Sequence, residues 1–482
     1  MSPNKSQRSR VVRHTYDPPG LVLNDLHSAL NPTRVHSVVS VASTADVQDV
    51  VQRARREGRA VSIMGGRHAM GAQQFATGGI AIDTRQLCRI QQVDAETGRI
   101  VVDAGVQWPE LVSHLVATQP TTERQWGIAQ KQTGADRLSI GGALAANVHG
   151  RGLTRAPFIA DVESFTLVDA DGELRHCSRT ENAELFTLVI GGYGLFGVVT
   201  DVTLRLLPRH KVRRVVEVIT ADRLMAAFDE RIADGFEYGD FQFALDPASP
   251  DFLHRGIFSC YKPADPETPI PPAQRSLSED DWRRLLRYAH ADKAAAWDGY
   301  SRHYLATSGQ VYWSDTHQLS TYIDGYHAEL DEAFGAPNRC SEIITEIYVP
   351  RSRLGDFLTA AADDFRRHRV DCIYGTIRLV ERDSESFLAW ARESWACTIF
   401  NLHTEHTPAA LARTADTFRR LIDMAIARGG SYFLTYHKYA TRDQIEACYP
   451  QFADFLRLKD MHDPERRFQS DWWRSHAAMF GL

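Results

Sequence analysis

The chain has 482 residues, 43% of them apolar and 24% charged, with a formal net charge of −6. That length points to two or three domains, and the composition is that of a globular chain rather than a disordered or fibrous one. With no basic excess, nucleic acid is not an expected partner. The seven cysteines are scattered and never spaced CxxC, which favours reduced thiols over a disulfide framework or zinc site and makes the cytoplasm the expected location.

Residues 1–36 carry Pro, Asn, Ser and Arg without periodicity and read as a tail and a strap. Their basic start is followed by no apolar h-region, and no later run is long enough to span a bilayer, so neither a leader nor a membrane span is expected. From Val38 the pattern sharpens: a β-branched strand VVSVAS, a capping box at Ser43 and Asp46, and Val47, Val50, Val51 and Ala54 at helical spacing before Gly58. Val61–Met64 is the next strand, and it delivers the turn GGRH at its C-terminal end, where α/β sheets place ligands. Strands are expected at Ile80–Asp83 and Arg99–Ala104, and a helix at WPELVSHLVAT with Pro109 in its first turn. A second glycine-rich loop, LSIGGALAANVHGRG (138–152), follows. Glycine loops let consecutive backbone N–H groups approach an anion, so two of them suggest a large phosphorylated cofactor.

The DADG turn at 169–172 predicts a hairpin. Gly192, Gly194 and Gly197 then spell GxGxxG, but a helix is expected before them and an alternating strand from Val198 after them. That is the reverse of the order a dinucleotide fingerprint requires, so the Rossmann reading is set aside. Past Pro208 the glycine loops cease and Trp, Tyr and His become frequent. Helices in 278–306 and strands at Ile343–Val349, Tyr374–Val380, Cys397–His403 and Ser431–His437 predict an α+β cap on an antiparallel sheet. The last segment reads as one amphipathic helix, a turn at Asp463-Pro464 and an aromatic-basic tail. The expected division is a tail and strap (1–36), a cofactor domain (37–210), a cap (211–445) and a C-terminal segment returning to the first domain (446–482).

GGRH, SIGGALAANVHGRG and LVDADGELRHCSRTENAELFTLVIGGYGLFGVVTDVTLRLLP together resemble the flavoproteins typified by vanillyl-alcohol oxidase and p-cresol methylhydroxylase, and within them the aldonolactone and alditol oxidases and decaprenylphosphoryl-ribose oxidase. The match is strong over 37–210, thinner over the cap, and returns at HKYA and DPERRFQSDWW. The resemblance implies an α+β fold with a PCMH-type two-subdomain FAD-binding domain and a substrate cap. Gly65, Gly66, Arg67, His68, Ala69 and Met70 would wrap the FAD pyrophosphate. Gly134, Ser139, Ile140, Gly141, Gly142, Ala146, Asn147 and His149 would line its other side, and Val198 would touch it.

His68 stands where members of this family bond a histidine to the flavin 8-methyl group, although relatives with serine there bind FAD without a bond. No cysteine lies in 126–152 to provide a second attachment. His149 corresponds to a histidine beside the flavin ring, either the base for a substrate hydroxyl or a structural donor. Lys438 falls where sugar-oxidising relatives place a lysine near the flavin, with His437 facing the other way on an expected strand. Arg378 resembles the arginine of an E-x-R motif, with Thr376 in place of the acid; the competing reading for Arg378 and Lys438 is an ordinary surface charge. His403 and His406 in HTEH supply at most two metal ligands, so no metal is expected. The implied activity is FAD-dependent oxidation of a carbinol in a sugar-like, polyol or lactone substrate, with electrons passed to oxygen or a carrier; Val148, bulkier than glycine, favours restricted oxygen access. Amine oxidation of the cytokinin kind, C=C reduction, and a non-catalytic flavin-binding protein are the alternatives.

Overall fold

The structure is a computed structural model that describes residues 21–119, 124–321, 323 and 325–482. The expected tail at 1–20 lies outside the described residues. The strap is a short antiparallel pair, Val22–Leu23 with Thr33–Arg34, tied to the first glycine loop by Leu26 N–H donating to the Arg67 carbonyl at 2.9 Å and Asn31 Nδ2 to that of Met70 at 2.6 Å.

Ser37–Ser40, Ile80–Asp83 and Val61–Met64 form a three-stranded parallel sheet in that order. Helix Thr44–Arg56 covers it with Val47, Val50, Val51 and Ala54, and Ser43 Oγ accepts from Asp46 N–H to satisfy one of the helix's free donors. A four-stranded antiparallel sheet runs Arg99–Asp103, Val198–Arg205, Val162–Val168, Leu174–Ser178. Helix Ala183–Val189 precedes the GGYGLFG turn and strand Val198–Arg205 follows it, which is the reversed order the sequence indicates.

The cap is built on eight antiparallel strands in the order Val311–Trp313, Lys211–Thr220, Arg255–Pro263, Tyr238–Phe243, Cys372–Val380, Trp395–Glu405, Cys340–Pro350, Ser431–Tyr432. Helices Leu354–His368 and Pro408–Ile426 pack one amphipathic face each against it, burying among others Phe357, Phe365, Phe418 and Leu421. Two expectations need correction. The strand expected at Ser431–His437 ends at Tyr432, because carbonyls beyond it bond elsewhere: Gln73 Nε2 donates to Thr435 O at 2.7 Å. The expected terminal tail is a helix, Asp471–Phe480, capped by Ser470, with Trp472 and Trp473 buried and Asp471 N–H donating to Phe75 O at 2.7 Å. Before it, Val61 and residues 467–469 exchange backbone bonds of 2.7 and 2.9 Å, so the C-terminal segment lies along the parallel sheet. All seven cysteines are unpaired, and no helix among the described residues is long and apolar enough to cross a membrane.

Candidate active site

A cavity of about 690 Å³ lies between the glycine loops and the cap sheet. Gly65, Gly66, Arg67, His68, Ala69 and Met70 line it from one loop, and Gly134, Ser139, Gly142, Ala146 and His149 from the other. The two loops are pressed together. A Cβ on Gly65 would sit 2.2 Å from Ser139 Oγ and one on Gly66 2.3 Å from the Arg137 carbonyl oxygen, so glycine there keeps the walls apart from collision. Among the described residues, the carboxylates lining the cavity are Asp240 and Glu346, both on the cap side. The glycine-loop wall thus offers backbone donors and no negative charge, which fits a pyrophosphate.

Four of the expected cofactor residues stand behind that wall rather than on it. Ile140 and Val198 are fully buried in core, and Gly141 N–H is taken by Ala104 O at 2.8 Å. Asn147, held at φ 47°, donates through Nδ2 to Asp383 at 2.8 Å and accepts at Oδ1 from Ile159 N–H at 2.9 Å. It braces the turn that presents Val148 and His149 to the cavity.

His149 is buried, with Nε2 2.9 Å from Glu346 Oε2 and Nδ1 3.1 Å from Gly150 O. Tyr436 donates to Glu346 Oε1 at 2.7 Å and Tyr348 to Oε2 at 2.9 Å. Burial alone would raise the Glu346 carboxyl, but His149, the Tyr436 hydroxyl and nearby Arg378 outweigh it and hold it below the usual carboxylate range. Arg378 lines the same cavity, 5% exposed, with no hydrogen bond to its Nε. Thr376, the departure from E-x-R, pairs with Ile399, and Ile399 pairs with Glu346. Glu346 thus lies in the row of Thr376, two strands away, or about 10 Å across, while the row of Arg378 itself leads through Cys397 to Tyr348.

Further along the cavity, Arg151 and Arg214 lie against the Tyr261 ring at 5.2 and 5.3 Å. Arg151 Nε, Gln242 Oε1, Arg378 Nε and Asn401 Oδ1 are buried polar atoms without hydrogen-bond partners, and all four residues line the chamber. Lys438 is not brought there. It lies half-buried on a loop, where burial lowers its pKa against the pull of Asp471, while Thr435 and Tyr436 take the cavity positions. The strand expected to present it ends at Tyr432. Glu346, Tyr436 and Arg151 were missed by sequence reasoning; the usable signal for Glu346 was a charged residue inside the apolar strand ITEIYV.

Residues 35–178 match a family model described as FAD binding domain. Over 174 residues the chain is 31% identical to an uncharacterised oxidoreductase from the fasciation locus of Rhodococcoides fascians, a match covering 36% of this chain and 38% of that protein. It is 25% identical over 443 residues to L-gulono-1,4-lactone dehydrogenase of Mycobacterium tuberculosis, 91% of this chain and 95% of that one. It is 23% identical over 461 residues to decaprenylphosphoryl-beta-D-ribose oxidase of Mycolicibacterium smegmatis, 91% and 94% of the two chains. With the glycine-lined wall and the antiparallel cap, these similarities make the chain an FAD-dependent oxidoreductase built on a PCMH-type FAD-binding domain.

Proposed function

We propose that the protein oxidises a carbinol carbon of a sugar-like, polyol or lactone substrate and passes the electrons to oxygen or a carrier. The observation that carries this reading is the set of unpaired buried atoms in the chamber. Arg151 Nε and Arg378 Nε are donors; Gln242 Oε1 and Asn401 Oδ1 are acceptors. A ligand bearing several hydroxyls, each both donor and acceptor, satisfies such a mixed set, whereas leaving buried polar atoms unpaired costs about 1–3 kcal/mol each. The relatives named for lactone and ribose oxidation or dehydrogenation cover more than nine-tenths of their own length, cap included.

FAD, when bound, supplies the hydride acceptor. The chain's own residues orient the carbinol and move its proton. Arg378 holds a substrate oxygen, and the Glu346–His149 pair, acting as one coupled unit, takes up the hydroxyl proton. Closure of the chamber by the cap sheet keeps bulk water from competing for that proton. Val148, on the cavity wall, narrows oxygen access, which favours a carrier as acceptor. His68, on the same wall, would hold the flavin through a ring nitrogen.

The test is anaerobic mixing of the flavin-loaded protein with a panel of polyols, aldoses and aldonolactones, following flavin absorbance. Bleaching by a member of the panel supports carbinol oxidation; a response confined to amines, or reoxidation of reduced flavin by an activated alkene alone, overturns it. Acid precipitation tests the bond: yellow colour retained in the wild-type pellet and released from His68→Ala establishes it, and release from both removes it.

A further inference from the structure

Four residues before Glu346 on the same strand, Glu342 is 1% exposed and gathers side chains from three other parts of the cap. Its two oxygens are divided between two sets of partners. Oε2 accepts the Tyr326 hydroxyl at 2.5 Å and lies 2.6 Å from His327 Nδ1. Oε1 lies 2.8 Å from His290 Nε2 and 3.4 Å from His403 Nδ1. His290 comes from helix Glu279–Ala291 and His403 from strand Trp395–Glu405; their rings stand perpendicular with centroids 5.1 Å apart.

His290 is oriented from behind. Its Nδ1 is 2.8 Å from the Leu286 carbonyl oxygen, which can only accept, so the proton of the neutral ring sits on Nδ1 and Nε2 presents a lone pair to Glu342 Oε1. Two acceptors held face to face require a cation, either a second ring proton or an ion between them. Backbone-fixed imidazole, a carboxylate whose other oxygen is anchored by Tyr326, and a second imidazole within 4.8 Å form the donor set and outer support of a transition-metal centre.

We propose that His290 Nε2, His403 Nδ1 and Glu342 Oε1 bind a divalent transition-metal ion of the zinc class, which pins helix Glu279–Ala291 to the cap sheet. Metal–ligand lengths of about 2.0–2.2 Å put tetrahedral donors about 3.4 Å apart. The Glu342–His403 spacing of 3.4 Å already matches, and a slight withdrawal of His290 from 2.8 Å admits the ion. Water completes the shell. Ala289 and Tyr326, beside the ligands, line the substrate chamber, so the ion fixes a wall of that chamber without touching the Glu346–His149 pair. The HTEH segment thus contributes one ligand, His403, and the others come from across the cap; His406 instead bonds Ser341 Oγ at 2.8 Å.

The experiment uses untagged, flavin-loaded protein. Metal content after chelation and dialysis is measured by elemental analysis, followed by titration with zinc and with cobalt, whose visible ligand-field bands report N/O coordination. The expected result is a single tightly held equivalent per chain in wild type, reduced at least tenfold in affinity in both Glu342→Gln and His403→Ala. Flavin content and near-ultraviolet dichroism show whether each variant is folded. Failure of the wild-type protein to hold either ion overturns the proposal whatever the variants do, as does binding undiminished in both folded variants.

Discussion

Glu346 and Glu342 share a strand and, being four residues apart, the same face of it, with about 13 Å between them. Both are buried, and both face imidazole and tyrosine hydroxyl groups. They differ in where the imidazole comes from. Glu346 meets His149, carried on the second glycine loop of the FAD-binding domain, and lines the cavity. Glu342 meets His290, His327 and His403, all from the cap, and does not line the cavity. Residue type and burial alone therefore do not separate a proton-handling carboxylate from an anchoring one. What separates them is whether the partner crosses the junction between cap and cofactor domain.

The contrast can be broken most sharply at Glu346. Glu346→Gln keeps the shape and removes the charge, and flavin reduction by substrate under single-turnover anaerobic conditions is expected to slow about 10²–10⁴-fold with flavin content unchanged. Glu342→Gln, which loosens a chamber wall without touching the Glu346–His149 pair, is expected to weaken substrate binding while changing the limiting rate at saturation by no more than about twofold. An equal loss in both would erase the distinction. Arg378→Ala comes next. Removing a charged hydrogen bond to the substrate should lower kcat/KM by about tenfold to a hundredfold, most of it in the reductive half-reaction.

A pH series sharpens the comparison further. The Glu346 carboxyl is depressed in the fold, so its stabilising contribution is complete above the ordinary glutamate value of about 4.3 and is lost as pH falls through the folded value. Urea midpoints should accordingly fall more steeply below that value in wild type than in Glu346→Gln; parallel curves would contradict the assignment. The smallest effect is expected at Lys438, which lies off the cavity. Lys438→Ala should leave flavin reduction within about twofold of wild type.

The cofactor half was readable because its constraints are local. A loop that must bring backbone within contact of another, as Gly66 does with Arg137, writes glycine into the sequence at fixed spacing, and the reversed helix and strand around GGYGLFG followed from periodicity. The proposed proton-transfer site was half readable. His149 sits in the second glycine motif, but its partner is 197 residues away in a strand whose apolar neighbours give no hint which glutamate will be met. Ser431–His437 was misread because its alternation is real while its hydrogen bonds are not those of a strand. The Gln73 side chain, 362 positions earlier, occupies the Thr435 carbonyl. His290, Glu342 and His403 were invisible for the same reason: three residues widely separated in the chain converge only through cap packing.

The clasp of residues 467–469 on Val61 also bears on how the molecule is made. Arg467 donates to the Ala54 carbonyl, 413 positions earlier, and its backbone extends the pairing of the strand that delivers the first glycine turn. During synthesis that strand emerges early and waits, one edge bare, while the whole cap is translated. Contacts of such separation form late and slowly. The first glycine loop thus acquires its final support only after the cap-side wall of the cavity has been built, and a cap that fails to fold also leaves the glycine-loop wall unfinished.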